Sequence, residues 1–420
     1  MDKEQLKKVI VSQREKFRDI EFVYRDELND SKSWLDSPFV LIFSGIRRCG
    51  KSTLLTRIME QCKDRKYYIN FDDNRLINFT SDDFENLYES FIELFGEERN
   101  FYFDEIQNID GWEHFVRRIH NEGGKVFITG SNANLLSKEL GTHLTGRYVN
   151  IELFPFSFIE YLRFRKIDIQ PNDLYSTRKR TIIKNAFDEY LVKGGLPEFL
   201  QTGDTNYLST LYDNIIYRDI VSRYNVRQER SLKELLHFLV SNIAKEHSYN
   251  SLSKLVGLSN SNTVKEYISF AENSYLLFSV NKFDYSLKKQ ISNAKKIYFI
   301  DNGLANAVSF RFSENYGQQL ENLVFLQLRR EGKSVFYHRG KHECDFIIQD
   351  KGKINLAVQV SQSLDSNSTR DREMRGLLEA MDTYNLNESL ILTHDEEDTI
   401  KIGDKTINVI PVWNWLLGTE

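Results

Sequence analysis

At 420 residues the chain is too long for one ordinary core, so two or three domains are expected. Hydrophobic residues make up 40% and charged residues 28%, the balance of a soluble globular protein. The formal net charge of −5 excludes a global basic field drawing the chain to nucleic acid, so any such binding must come from a local patch.

The N-terminus, Met-Asp-Lys-Glu-Gln-Leu-Lys-Lys-Val-Ile-Val, lacks the apolar core of a signal peptide. No run approaches the roughly 20 apolar residues that span a bilayer. Five prolines and no low-complexity tract argue against long disordered linkers. Cys49, Cys62 and Cys344 form no metal-ligand spacing, and so sparse a set fits a reducing compartment. A cytoplasmic protein with no membrane partner is the expectation.

Residues 39–45 form an apolar run that leads into Gly45-x-x-x-x-Gly50-Lys51-Ser52. A phosphate chain needs donors that are cheap to order. Gly45 and Gly50 let the backbone wrap tightly, and its N–H groups then form an anion nest. Lys51 would reach the β- and γ-phosphates and the Ser52 hydroxyl would ligate Mg²⁺. Cys49 and Thr53 complete the nucleotide-binding stretch. Residues 52–59 read as a helix whose N-terminal dipole adds positive potential.

Strands are expected at 66–73, 100–106, 125–131 and 147–153 as well as at 39–45. Their apolar runs are near-continuous, which suggests burial on both faces. Helices between them imply a parallel sheet with right-handed crossovers. Asp104 ends the apolar run Phe101-Tyr102-Phe103, where a carboxylate can hold the Mg²⁺ water shell. Glu105 beside it is the candidate base for an attacking water. Ser131 or Asn132 either senses the γ-phosphate or caps a helix starting near Asn134. Arg147 is either an arginine finger acting in trans or a surface arginine before a strand.

These stretches resemble the prokaryotic AAA+-type P-loop ATPases with an appended C-terminal region. The resemblance rests on residues 45–53, 101–119, 127–140 and 144–162, and continues through 191–201, 217–226, 295–307 and 321–332. It implies an α/β core with the phosphate-loop strand at the centre of its sheet, and ATP and Mg²⁺ as ligands. Gly45, Gly50, Lys51 and Ser52 match the phosphate-loop positions, Asp104 and Glu105 the metal and base positions, and Ser131 or Asn132 the sensor position. The finger is left open between Arg147 and Arg218.

Residues 179–225 read as helices broken at Gly194-Gly195 and Pro197, the expected helical lid. Beyond them come an amphipathic helix at 231–245, a short helix at 251–256, a Gly-containing turn and a helix from Asn262. That is the helix-turn-helix plan, and two strands after it supply a wing. Lys282, Lys288, Lys289, Lys295 and Lys296 outnumber Asp284 there and suit phosphate contacts. The helix expected to enter the groove carries only Lys265, offset by Glu266 and Glu272, so docking to protein competes with docking to DNA.

In the last stretch Glu321 sits on a helix and Asp345 starts a strand. The next strand carries Gln359-Val360-Ser361 where PD-(D/E)xK restriction-endonuclease-like folds carry acid-x-Lys. Gln is a neutral, weaker ligand and Ser cannot replace a cationic lysine, so a nuclease-like fold without cleavage is expected; Lys341 and Lys353 are the lysines near enough in sequence to substitute. The expected organisation is a P-loop ATPase core at 1–155, a helical lid at 156–228, a winged helix at 229–305 and a nuclease-like α/β domain at 306–420. Function is expected to be ATP hydrolysis coupled to DNA or protein docking, with a homo-oligomer as the candidate assembly. A slow ATP switch and an ATP-gated nuclease are the alternatives.

Overall fold

In a computed structural model, residues 1–15, 22–62, 67–132, 146–309 and 316–418 are described. The chain divides into two compact units, Met1–Phe154 with Asn273–Tyr275, and Pro155–Glu272 with Leu276–Glu420.

The first unit is built on five strands: β1 (Val40–Ser44), β2 (Tyr67–Asn70), β3 (Asn100–Asp104), β4 (Lys125–Gly130) and β5 (Tyr148–Glu152). All pair in parallel, in the order β2-β3-β4-β1-β5. β1 is therefore interior but lies next to the edge strand, not at the sheet's centre as the resemblance implied. All five residues of β1 are buried, which explains the unbroken apolar run: both faces are covered.

One face is packed with aromatic rings. Tyr67 stacks on Phe91 and Phe84 on Phe115, with centroids 4.8 and 4.5 Å apart. Such pairs add to plain area burial. Helix Lys3–Glu15, the segment without a signal core, lays Leu6, Val9 and Ile10 into this same cluster. No helix among the described residues is long and apolar enough to cross a membrane.

The second unit begins with helices Phe158–Phe164, Thr177–Lys193, Pro197–Thr202 and Thr205–Asn214, then a π-helical stretch, Ile215–Ser222. Ser157 and Glu160 form a reciprocal capping box at the start of the first. Gly194, at φ 71°, stops the second, and Pro197 opens the third, so the chain breaks where its Gly and Pro residues stand.

Next come helix Glu229–Ser241, β6 (Glu246–His247), helices Tyr249–Leu255 and Ser261–Asn273, β7 (Leu277–Asn281) and β8 (Lys295–Phe299). Gly257, at φ 67°, turns the chain between the paired helices. The strands form a small antiparallel sheet in the order β6-β8-β7, and a short helix, Leu287–Ser292, occupies the β7–β8 connection.

The last sheet is mixed and six-stranded: β9 (Ser334–Arg339), β10 (Glu343–Asp350), β11 (Lys353–Ser361), β12 (Glu388–Thr393), β13 (Asp398–Ile402) and β14 (Lys405–Pro411), ordered β13-β14-β12-β11-β10-β9. β11, β12 and β14 run parallel, and the outer pairings are antiparallel. Helix Asn367–Tyr384 covers the sheet with Leu377, Ala380 and Met381.

Candidate functional site

The phosphate-loop motif occupies the turn between β1 and helix Lys51–Gln61. Gly45 has φ 154°, and a Cβ there would sit 2.2 Å from the Leu153 carbonyl oxygen, so no side chain fits. Gly50, at φ 104°, stands directly before the helix. The Lys51 ammonium is buried and donates to the carbonyls of Gly45 and Ile46 at 3.1 and 3.0 Å; Glu105 Oε1 is 3.7 Å away. Ser52 is exposed at the head of the helix, Thr53 is half-buried, and Cys49 is buried with its thiol pushed up by burial.

Asp104 ends β3 against this loop. Its Oδ1 accepts from Ser52 Oγ at 3.0 Å and from Thr129 Oγ1, while Oδ2 accepts from Tyr68 OH at 3.1 Å and Asn70 Nδ2 at 2.9 Å. Burial, reinforced by the neighbouring Glu105, pushes this carboxyl up to about 6 despite those donors. Glu105 turns through a left-handed φ of 53°, its N–H donates to Thr129 Oγ1 at 3.0 Å, and Gln107 Nε2 holds its Oε2 at 2.6 Å. The residues expected to hold a phosphate chain and a cation thus share one end of the sheet.

Ser131 and Asn132 follow β4 at that same end and both are buried. The Ser131 hydroxyl has no hydrogen-bond partner among the described residues. The helix expected from Asn134 lies outside the described residues. Arg147 is exposed and donates to Asn121 Oδ1 at 2.7 Å. It precedes β5, at the end of the sheet opposite the loop, roughly 16 Å of strand away. It therefore does not reach its own chain's loop. Arg218 is exposed on the π-helical stretch of the second unit.

Arg25 was not legible from motif spacing. It is 3% exposed, and its guanidinium donates to Cys49 O at 3.0 Å and Phe154 O at 2.7 Å, bracing the loop from behind. Nothing in its sequence neighbourhood marks it. Two of the lysines expected to contact phosphates, both on β8, correct another expectation. Lys295 donates to the carbonyls of Gln290 and Ile291, and Lys296 is 1% exposed inside an acidic cluster, so neither presents its charge to a phosphate backbone.

The position of Asp104 carries a pH consequence. Its folded value lies above the unfolded 3.8, so without nucleotide the neutral form favours folding at low pH, and that contribution is lost as pH rises through about 6. Holding a cation requires the ionised form. Magnesium-dependent strengthening of nucleotide binding is therefore expected to fade below pH 6, by up to about tenfold per unit. Titration of a fluorescent ATP analogue with and without Mg²⁺ between pH 5 and 8 checks this; a Mg²⁺ effect that is flat over that range contradicts it.

Residues 37–162 match the family model described as an AAA domain, and 184–315 and 316–415 match two domains of unknown function, DUF8612 and DUF4143. An uncharacterized protein of Methanocaldococcus jannaschii is 35% identical over 401 residues, 90% of this chain and 88% of that protein. One from Haemophilus influenzae is 31% identical over 400 residues, 91% of this chain and 95% of that protein. Among solved structures, AMPPCP-bound DnaA from Aquifex aeolicus is 14% identical with a TM-score of 0.26, covering 60% of this chain and 89% of that one. A STAND protein from Pyrococcus horikoshii is 15% identical with a TM-score of 0.29, covering 74% of this chain and 46% of that one. The chain belongs to the family of its two full-length relatives, and its N-terminal unit carries an AAA domain.

Proposed function

We propose that the first unit binds and hydrolyses ATP with Mg²⁺, and that its nucleotide state is coupled to a docking module in the second. The observation that carries this reading is the 3.0 Å hydrogen bond from Ser52 Oγ to Asp104 Oδ1 at the head of a loop whose lysine is buried among its carbonyls. The donor set fits a hard cation: a hydroxyl and a carboxylate. Ser52 and Asp104 would hold Mg²⁺, which supplies charge neutralisation at the phosphate oxygens.

Gly45, Cys49, Gly50, Lys51, Ser52 and Thr53 form the phosphate cradle. Lys51 exchanges its loop carbonyls for phosphate oxygens. Glu105 orients the water and takes its proton, and Gln107 fixes the carboxylate that does so. Asn132 or Ser131 reports the γ-phosphate. Purified chain is expected to release phosphate from ATP only with Mg²⁺, and Ser52→Ala and Asp104→Ala are each expected to slow release at least ~10-fold. Magnesium-independent release, or release unchanged in both variants, contradicts the site.

Arg147, which does not reach its own chain's loop, or Arg218 would complete the site of a neighbouring copy. Turnover per subunit is then expected to rise with protein concentration, and a mixture of Arg147→Ala and Lys51→Ala chains to recover activity that neither has alone. Concentration-independent turnover without such recovery assigns Arg147 to the surface. In the second unit, the helix order and the small sheet support a winged helix at 229–305, the six-stranded mixed sheet supports a nuclease-like module at 306–420, and 156–228 serves as the lid. The withdrawal of Lys295 and Lys296 from the surface favours a protein client over DNA.

A further inference from the structure

The second unit holds a buried charge cluster. The Lys296 ammonium, carried by β8, meets Glu321 Oε1 at 2.9 Å, Glu343 Oε1 at 2.6 Å and Asp345 Oδ1 at 2.9 Å. An ammonium has three N–H donors, and here each has one carboxylate oxygen. The surrounding groups are also satisfied. Tyr298 OH donates to Glu321 Oε1 at 2.7 Å, and Val360 N donates to Asp345 Oδ2 at 3.0 Å. Gln359 accepts from Asp345 N at 3.2 Å and donates to Glu373 Oε2 at 2.6 Å. Ser361 Oγ turns away to Ser363 O at 3.0 Å.

A nuclease-like fold implies a divalent metal held by these carboxylates, and the residues present do not fit one. Mg²⁺ draws its oxygens to about 2.0–2.1 Å, whereas these three surround an ammonium-sized centre. Gln359 gives its Nε2 to Glu373 and its Oε1 to the Asp345 N–H, so its amide oxygen does not face a metal. Among the described residues no group of three or more His, Cys, Asp or Glu is placed to hold a metal ion. Burial alone would strip the Lys296 proton, but the Asp345 and Glu321 carboxylates outweigh it and hold the ammonium charged.

We propose that Lys296 is the resident cation of this cluster: its ammonium stands where nuclease-like folds hold a divalent metal, so the module engages its partner without metal and cuts no phosphodiester. The lysine comes from a strand outside the six-stranded sheet, so the same contact pins β8 to β10 and to helix Tyr316–Arg330. The inference takes its choice of metal from the nuclease-like reading of the module and is independent of the ATP reading.

The test counts bound Mn²⁺ by the loss of its free electron-paramagnetic signal, on nucleotide-free full-length chain. Wild type and Asp345→Asn are expected to give the same isotherm. Lys296→Ala is expected to gain one Mn²⁺ per chain, bound at least ~100-fold tighter than anything in wild type, and to melt at higher temperature when Mn²⁺ is added. That gain disappears in Lys296→Ala/Asp345→Asn. Wild-type Mn²⁺ binding that Asp345→Asn removes overturns the proposal, as does a folded Lys296→Ala that gains no metal. Should Lys296→Ala fail to fold, the comparison of wild type with Asp345→Asn decides alone. Because no nucleotide is present, failure here leaves the ATP site untouched, and plasmid nicking abolished by Asp345→Ala would separately restore the nuclease alternative.

Discussion

Lys51→Ala is expected to lower nucleotide affinity at least ~100-fold while leaving the fold intact. The Lys51 ammonium is 4% exposed and held by two loop carbonyls, so it is already desolvated and oriented before a phosphate arrives. Charge-assisted hydrogen bonds of this kind contribute about 1.5–3 kcal/mol each, and one ammonium bridging two phosphates makes more than one. Removing it also leaves the Gly45 and Ile46 carbonyls and the Glu105 carboxylate facing the phosphates with no intervening positive charge. Titration of a fluorescent ATP analogue reads the affinity, and circular dichroism shows that the variant is folded. An affinity within threefold of wild type contradicts the phosphate-binding role.

Gly303→Ala is expected to destabilise the second unit by about 3 kcal/mol or more. A Cβ at Gly303 would lie 1.9 Å from the carbonyl oxygen of Lys193, and backbone cannot swing aside as a flexible side chain can. The same spot is tied from another direction: Asp301 accepts from Gly195 N at 2.7 Å and from Leu304 N at 2.8 Å, and burial lifts its carboxyl to about 6. Gly195 is equally confined, since a Cβ there would sit 2.3 Å from Phe156 O. Helix Thr177–Lys193, the Asp301 cap and the segment before Phe158 therefore meet where two glycines, Gly195 and Gly303, permit backbone contact. Gly317→Ala is the control: nothing lies within 4 Å of its added Cβ, and the position is helical, so it is expected to be neutral or slightly stabilising. Urea unfolding separates the two; equal midpoints for both variants contradict the close-approach account.

Much of the first unit was legible because its signals are local. A strand buried on both faces reads as an unbroken apolar run, and a loop that wraps phosphate reads as glycines at fixed offsets from a lysine. Phe101-Tyr102-Phe103-Asp104 marks both the strand and the acid at its end. The order of strands in the sheet is set by packing among distant segments, so β1 lies next to the edge although the resemblance implied the centre. Arg25 escaped detection because its role comes from two carbonyls, one of them at Phe154, far along the chain.

The lysine cluster failed to show in sequence for the same reason. In sequence Lys296 reads as one more basic residue on an expected wing, and Lys341 and Lys353 are the lysines near the expected nuclease-like positions. The lysine that meets the Asp345 carboxylate comes from β8, nearly fifty positions before it, and only the fold brings them together. Charge counted along the sequence thus overstated the surface charge of residues 282–296, because Lys295 and Lys296 are buried.

The most direct measurement is MgATP binding and phosphate release by Glu105→Gln beside wild type. The Gln side chain keeps the shape and the contact with Gln107 but cannot take a proton from water. The variant is expected to bind MgATP as tightly as wild type, about one per chain, and to release phosphate at least ~100-fold more slowly. Wild-type turnover in Glu105→Gln, or a wild-type chain that binds no nucleotide, would contradict the account.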